Sequence, residues 1–209
     1  MSQNKIPKQK KSVYQKEQID SNCYREYNYR TMDKKTELLD KAIGRVPDFP
    51  KPGVLFYDIT GILVHPDAFK YCIDKMVEIY KDRKIDAVAA IESRGFIFAA
   101  PFAEKMGIPL VLIRKKGKLP GKTYSCKYSL EYGTAEIEAH IDDIKAGEKF
   151  LLVDDLIATG GTLTAAKNLI EQGGAEVTEV FGVIGLPFLN YEKVLAPVKA
   201  TTLINYNAE

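Results

Sequence analysis

Between residues 85 and 186 the chain alternates short apolar runs with longer amphipathic ones. IDAVAAI (85–91), IPLVLI (108–113), FLLV (150–153) and VTEVFGVIGL (177–186) are strand-length runs with little polar interruption. Strands apolar on both faces belong inside a parallel sheet that is covered on both sides. Between them, GFIFAAPFAEKMG (95–107) predicts a helix stopped by Gly107, and residues 162–172 predict another ended by Gly173 and Gly174. Upstream, Phe69, Cys72, Ile73, Met76, Val77 and Tyr80 recur at helical spacing behind His65-Pro66-Asp67, where proline suits a first turn. Leu38, Leu39 and Ile43 mark a shorter helix over 34–43. PDFPKPG (47–53) places three prolines and a glycine in one short stretch and predicts a loop. From 124 to 141 the pattern changes to short alternating segments, which predict an inserted antiparallel pair. The expected class is α/β, a mostly parallel twisted sheet flanked by helices.

Composition narrows this picture. A chain of 209 residues is long enough for one domain with a full core. Its 45% hydrophobic and 28% charged residues are those of a soluble globular protein. A net charge of +2 is too small to argue for nucleic acid or a membrane surface as partner. No apolar run approaches the roughly 20 residues that span a bilayer. Cys23, Cys72 and Cys126 are odd in number, widely spaced and read as free thiols, and the first residues lack the apolar core of a secretory signal. The cytoplasm is therefore the expected location. Residues 1–30 carry seven Lys/Arg against three acids and few aliphatic residues. Residues 1–33 are thus expected to be a polar, basic extension, disordered or loosely docked, ahead of one domain over 34–209.

Open parallel sheets bind ligands at the carboxyl ends of their strands, so the residues after each strand carry the candidate chemistry. After FLLV come Asp154 and Asp155, then Ala158-Thr159-Gly160-Gly161-Thr162 running into a helix. Small residues let backbone N–H groups close around an anion, and a helix N-terminus adds partial positive charge. No GxxxxGK[ST] loop is present, so a phosphomonoester fits better than a triphosphate. Two adjacent carboxylates beside a phosphate call for sugar hydroxyls, with Mg²⁺ nearby through substrate or water. A ribose 5-phosphate site answers that description.

After IDAVAAI comes Glu92-Ser93-Arg94-Gly95, where an arginine at a helix start suits a second anion such as pyrophosphate. After IPLVLI comes RKKGKLPGKTYSCK (114–127), with six basic residues and no acid. With few aromatics to stack bases, it reads as a mobile basic lid over a polyanion and not as a nucleic-acid surface.

VDDLIATGGT together with PDFPKPGVLFYDIT, IESRGFIF, IRKKGKLPG and YSLEYG, in order along residues 34–209, resembles the type I phosphoribosyltransferases, and among them those that use adenine. The resemblance implies the type I phosphoribosyltransferase fold, with a small hood and an antiparallel flexible lid. It implies transfer of 5-phosphoribosyl from phosphoribosyl pyrophosphate to adenine, giving AMP and pyrophosphate in purine salvage, with Mg²⁺ and as a homodimer. By position, Ala158, Thr159, Gly160, Gly161 and Thr162 would hold the 5′-phosphate, and Asp154 and Asp155 the ribose hydroxyls. Ser93, Arg94, Arg114 and Lys118 would meet the pyrophosphate. Phe56 would stack on adenine, the backbone of Leu55 and Tyr57 would read its edge, and Leu186 would cover the other face. Glu131, beside Tyr132, would act near N7, making Glu131, Tyr132 and Arg94 the catalytic candidates. No protein group is expected to ligate the metal directly, though Asp154 or Asp155 would reach it through water.

Ala158 stands where relatives that use 6-oxopurines usually carry an acid, which argues against hypoxanthine or guanine, and Ala158 with the LEYG segment weighs against xanthine or orotate. A DNA-binding sensor of the same fold would need a helix-turn-helix, and the polar residues before Lys34 contain none. Three positions depart from the family pattern. Gly185 replaces a frequent Glu, Asn190-Tyr191 replaces Lys-Gly, and Tyr57 replaces an Arg found in some relatives.

Overall fold

The computed structural model describes residues 34–129 and 133–207. The extension 1–33 and the catalytic candidates Glu131 and Tyr132 lie outside the described residues.

The four apolar runs form the parallel heart of a seven-stranded sheet. They are β3 (Ala87–Ile91), β4 (Leu110–Lys115), β7 (Lys149–Ile157) and β8 (Glu176–Gly185), joined by β9 (Lys199–Asn205) beyond β8. The alternating segment supplies β5 (Thr123–Ser129) and β6 (Thr134–His140), an antiparallel pair added to β4. The order is β5-β6-β4-β3-β7-β8-β9. All five residues of β3 are buried, as a central parallel strand requires.

Two faces bury different partners. Ala87, Ala89, Val111, Ile113, Phe150 and Leu152 pack with Leu163, Ala166, Leu169 and Ile170 of the helix Gly161–Gln172. The opposite face is covered by the helices Pro66–Tyr80 and Gly95–Met106. In the first of these the predicted stripe is buried at Cys72, Ile73, Met76 and Tyr80. Each large apolar side chain so buried contributes about 1.5–3 kcal/mol. The second ends at Gly107 in the left-handed conformation, φ 66°, as the sequence predicts.

The proline-rich loop connects two short strands, β1 (Gly44–Pro47) and β2 (Leu55–Asp58), which form a separate antiparallel pair. Taking the helices in chain order, α1 is Lys34–Ala42, α2 Thr60–Leu63, α3 Pro66–Tyr80, α4 Gly95–Met106, α5 Gly161–Gln172 and α6 Tyr191–Leu195. One boundary differs from the sequence reading. β7 does not end at Val153 but continues through both aspartates to Ile157, because Asp154, Leu156 and Ile157 keep their pairing with Gly182, Ile184 and Gly185 of β8.

Candidate functional site

β7 carries both aspartates to its end, where the Asp154 and Asp155 carboxyls interact with each other and line one cavity. Asp155 is 4% exposed and accepts a hydrogen bond from Arg94 Nε at 2.5 Å. Asp154 Oδ1 accepts the Asp155 N–H at 2.9 Å. Burial, then the neighbouring Asp155 charge, pushes the Asp154 carboxyl well above the ordinary aspartate range.

Three residues past the end of β7, Gly160 adopts φ 82° and opens α5, whose first turn has no side-chain cap. Its N–H groups are therefore available to an anion. The loop is braced from behind, since a Cβ on Gly160 would lie 3.3–3.5 Å from Leu195, Val194 and Tyr191.

On the neighbouring strand, β3 ends at Ile91, followed by a cis peptide between Glu92 and Ser93. Gly95 lets α4 start hard against β7, because a Cβ there would lie 2.8 Å from Val153 O. This close approach brings Arg94 to Asp155. Glu92 accepts the Lys115 N–H at 3.0 Å and Arg114 Nη2 at 3.4 Å. The Lys115 N–H above all, helped by Arg114, holds the Glu92 carboxyl below its usual range against a small desolvation effect.

The basic segment is more structured than a loop. Arg114 and Lys115 belong to β4 and Thr123 opens β5, leaving a turn over 116–122. Glu138 of β6, 2% exposed, ties that turn down. Its Oε1 accepts the Lys118 and Leu119 N–H groups, both at 2.9 Å, and its Oε2 accepts Thr123 Oγ1 at 3.4 Å and pairs with Lys116 Nζ at 3.4 Å. Burial alone would raise this carboxyl; the two N–H groups and Lys116 outweigh it and hold it below the usual range. Arg114 Nη1 donates to Lys118 O at 3.2 Å.

These strand ends surround a cavity of about 320 Å³. Of the residues singled out in the sequence, Ser93, Arg94, Asp154, Asp155 and Thr162 line it. So do Glu92, Lys115 and Tyr128, which sequence reasoning did not assign to the site. Arg114 and Lys118 meet each other but do not border the cavity, and neither do Leu55, Phe56, Tyr57 and Leu186. Those last four occupy β2 and the residue after β8. Tyr57 is buried, Phe56 packs edge-on against Phe49 at 5.1 Å, and Leu186 N donates to Ile157 O at 3.0 Å.

The departure at Gly185 has a steric cause. A Cβ there would lie 2.2 Å from Asn205 Oδ1 and 2.6 Å from the Tyr191 hydroxyl, so a larger residue would have to displace both side chains. Tyr191, the second departure, is itself 2% exposed. Among the described residues, no cluster of three or more His, Cys, Asp or Glu is arranged to hold a metal ion.

The model of the phosphoribosyl transferase domain matches residues 58–186. Adenine phosphoribosyltransferase from Treponema denticola is 67% identical over 175 residues, which cover 84% of this chain and 92% of that protein. A crystal structure of adenine phosphoribosyltransferase from Thermoanaerobacter pseudethanolicus superposes with a TM-score of 0.79 at 42% identity, covering 82% of this chain and 99% of the other. The Saccharomyces cerevisiae enzyme, crystallised with adenine and an imino-altritol bisphosphate, gives 0.76 at 37% identity over 81% and 98% of the two chains. The sheet agrees with the fold of these structures, and the chain belongs to the phosphoribosyl transferase family as an adenine phosphoribosyltransferase.

Proposed function

We infer that the chain transfers the 5-phosphoribosyl group from phosphoribosyl pyrophosphate to adenine, forming AMP and pyrophosphate. The observation that carries this reading is one cavity at the ends of two adjacent strands, with Asp154 and Asp155 of β7 and Thr162 of the helix that follows it on one side, and Ser93 and Arg94 just after β3 on the other. A sugar bearing anionic groups at both ends fits that lining.

In the assignment we propose, Ala158 to Thr162 hold the 5′-phosphate through backbone N–H groups and the two threonine hydroxyls. Asp154 and Asp155 accept the ribose hydroxyls. Ser93, Arg94, Arg114 and Lys118 hold the pyrophosphate, and Lys115, which lines the cavity, adds charge there. Phe56 and Leu186 face the two sides of the adenine ring, and the backbone of Leu55 and Tyr57 reads its edge.

Adenine N9 attacks C1′ as the C1′–O bond to pyrophosphate breaks and its electron pair leaves with the pyrophosphate oxygen. Positive charge builds on the ribose during this exchange, as in glycosidic cleavage. The basic groups stabilise the leaving pyrophosphate, and the strand pair β5–β6 with its basic turn keeps water from competing. Glu131, beside Tyr132, manages the proton that adenine gives up.

The donor set suits Mg²⁺. Mg²⁺ is ordinarily held by one or two carboxylates, water and substrate phosphates, and does not need an all-protein cage. Asp154 is a buried carboxyl whose ionisation is opposed by its surroundings, which a nearby cation would relieve. When bound with the substrate, Mg²⁺ would supply positive charge against the leaving pyrophosphate. Asp154 or Asp155 would reach it through water.

No helix among the described residues is long and apolar enough to cross a membrane. Cys72 and Cys126 are free thiols, in keeping with a cytoplasmic location. The test is direct. Purified protein incubated with adenine, phosphoribosyl pyrophosphate and Mg²⁺ yields AMP by chromatography. Turnover of hypoxanthine in place of adenine would overturn the assignment of the base.

A further inference from the structure

At the end of β9, two consecutive residues, Asn205 and Tyr206, reach in opposite directions. β9 runs parallel to β8, pairing Gly182 with Thr202, Ile184 with Ile204 and Gly185 with Asn205. The next residue continues the attachment, with Tyr206 N donating to Gly185 O at 3.0 Å.

Asn205 fastens the end of β8. Its Oδ1 accepts Thr202 Oγ1 at 2.9 Å and the Tyr191 hydroxyl at 3.4 Å. It also lies so near Gly185 that the glycine has no room for a side chain. Leu186 follows directly and is held by Ile157 O. Its position is therefore set from both flanks.

Tyr206 fastens a different element. Its ring lies flat on Tyr57 of β2, with centroids 4.1 Å apart and planes within 5°. The Arg45 guanidinium covers the same pair, at 5.2 Å from the Tyr206 ring and 6.0 Å from that of Tyr57. The Tyr206 hydroxyl donates to Asp40 Oδ1 at 2.8 Å, and Arg45 pairs with the same carboxylate. Burial first, then the bond to Asp40, holds that hydroxyl protonated and donating. A two-stranded hairpin such as β1–β2 is marginal by itself, so its placement depends on ties of this kind. The pleat then directs Phe56 to the face of β2 opposite Tyr57.

We propose that Tyr206 is a positioning residue for the base: with Asn205 it ties β2, which carries Phe56, to the strand end that carries Leu186, and so sets the width of the slot that admits a planar purine. This rests on the reading that Phe56 and Leu186 face adenine. Two consecutive residues, the last of β9 and the one after it, thus govern both walls, and neither needs to touch the ligand.

The experiment compares Tyr206→Ala, Tyr206→Phe, Asn205→Ala and Phe56→Ala in steady-state assays, with each substrate varied in turn. Tyr206→Ala removes an aromatic stack and its covering cation, and should raise KM for adenine about tenfold while KM for phosphoribosyl pyrophosphate stays within about twofold. Tyr206→Phe keeps the stack and loses one hydrogen bond, and should restore adenine KM to within about threefold of the native value. If Tyr206→Ala does not fold, Asn205→Ala decides, with an expected rise in adenine KM of about threefold. Phe56→Ala checks the underlying reading and should raise adenine KM on its own. Unchanged adenine KM in Tyr206→Ala while Phe56→Ala raises it overturns the proposal. So does an equal loss toward both substrates that phenylalanine does not rescue. Unchanged adenine KM in Phe56→Ala instead overturns the placement of the base, and the proposal with it.

Discussion

Asp154 and Asp155 are neighbours in sequence and subject to different forces. Asp155 has Arg94 to balance its charge, whereas burial and Asp155 itself both oppose ionisation of Asp154. A carboxyl raised in the folded state binds its proton more tightly than in the unfolded chain. The stability this contributes is present below the unfolded value of 3.8 and is lost as pH rises through the higher folded value. Asparagine at this position keeps the oxygen that accepts the Asp155 N–H and removes the charge. Asp154→Asn is thus expected to melt a few degrees higher than the native protein at neutral pH, the advantage vanishing near pH 4. The same variant loses a charged contact to the sugar, so kcat/KM for phosphoribosyl pyrophosphate falls roughly tenfold or more. Thermal scans at several pH values, paired with kinetics, measure both effects; a lower melting temperature at neutral pH would show that the charge is stabilised in the fold.

At the scale of elements, the turn between β4 and β5 depends on a single buried acid. Register pairs Arg114 with Glu138 across β4 and β6, which carries the Glu138 carboxylate under the 116–119 backbone. Glu138→Gln leaves an oxygen acceptor and removes the charge that holds Lys116 and the turn amides. KM for phosphoribosyl pyrophosphate is expected to rise about tenfold with adenine KM within about twofold. Substrate-by-substrate kinetics check this, and an effect on adenine alone would place the turn elsewhere in the cycle. Glu138 was invisible in the sequence because an acid in TAEIEAH reads as the solvent face of an alternating strand, and only the register reveals what covers it. In the sequence Lys115 reads only as part of the basic lid, and Glu92 and Tyr128 stand in recognisable motifs without a role, because only the fold shows which side chains of those motifs line the cavity. Long buried strands were legible, since β3, β7 and β8 are apolar on both faces. β9 was not, because KATTLIN is half-exposed along most of its length, and β1 is four residues beside a proline loop. The order Val-Asp-Asp followed by a small-residue loop and a helix identified the β7 end. The strand boundary was misplaced because aspartates ordinarily end strands, and here pairing with β8 carries them inside one.

At the scale of the whole molecule, most large apolar side chains are covered, and those that are not stand out. Val64, Phe49, Val194 and Val46 are exposed singly, whereas Leu112 on β4, 37% exposed, and Ile97 on α4, 36% exposed, sit on elements that pack together. A second copy of the chain is the occupant expected for this family, and a homodimer would bury such side chains. Sedimentation should therefore report about twice the 23.4 kDa chain mass, and Leu112→Glu should shift the equilibrium toward the monomer. A purely monomeric native protein would refute the assembly. The adjacency of β3 and β7 has a different kind of consequence. Their spacing is a constant of hydrogen-bonded sheets, about 4.8 Å, and no side-chain substitution can retune it. The distance between the sites for the two anionic ends of the sugar donor is thereby inherited with the sheet. The base-facing parts are fastened by side chains such as Tyr206, which single substitutions can loosen. Proteins descended from this architecture should change the base they accept well before they change the donor they consume.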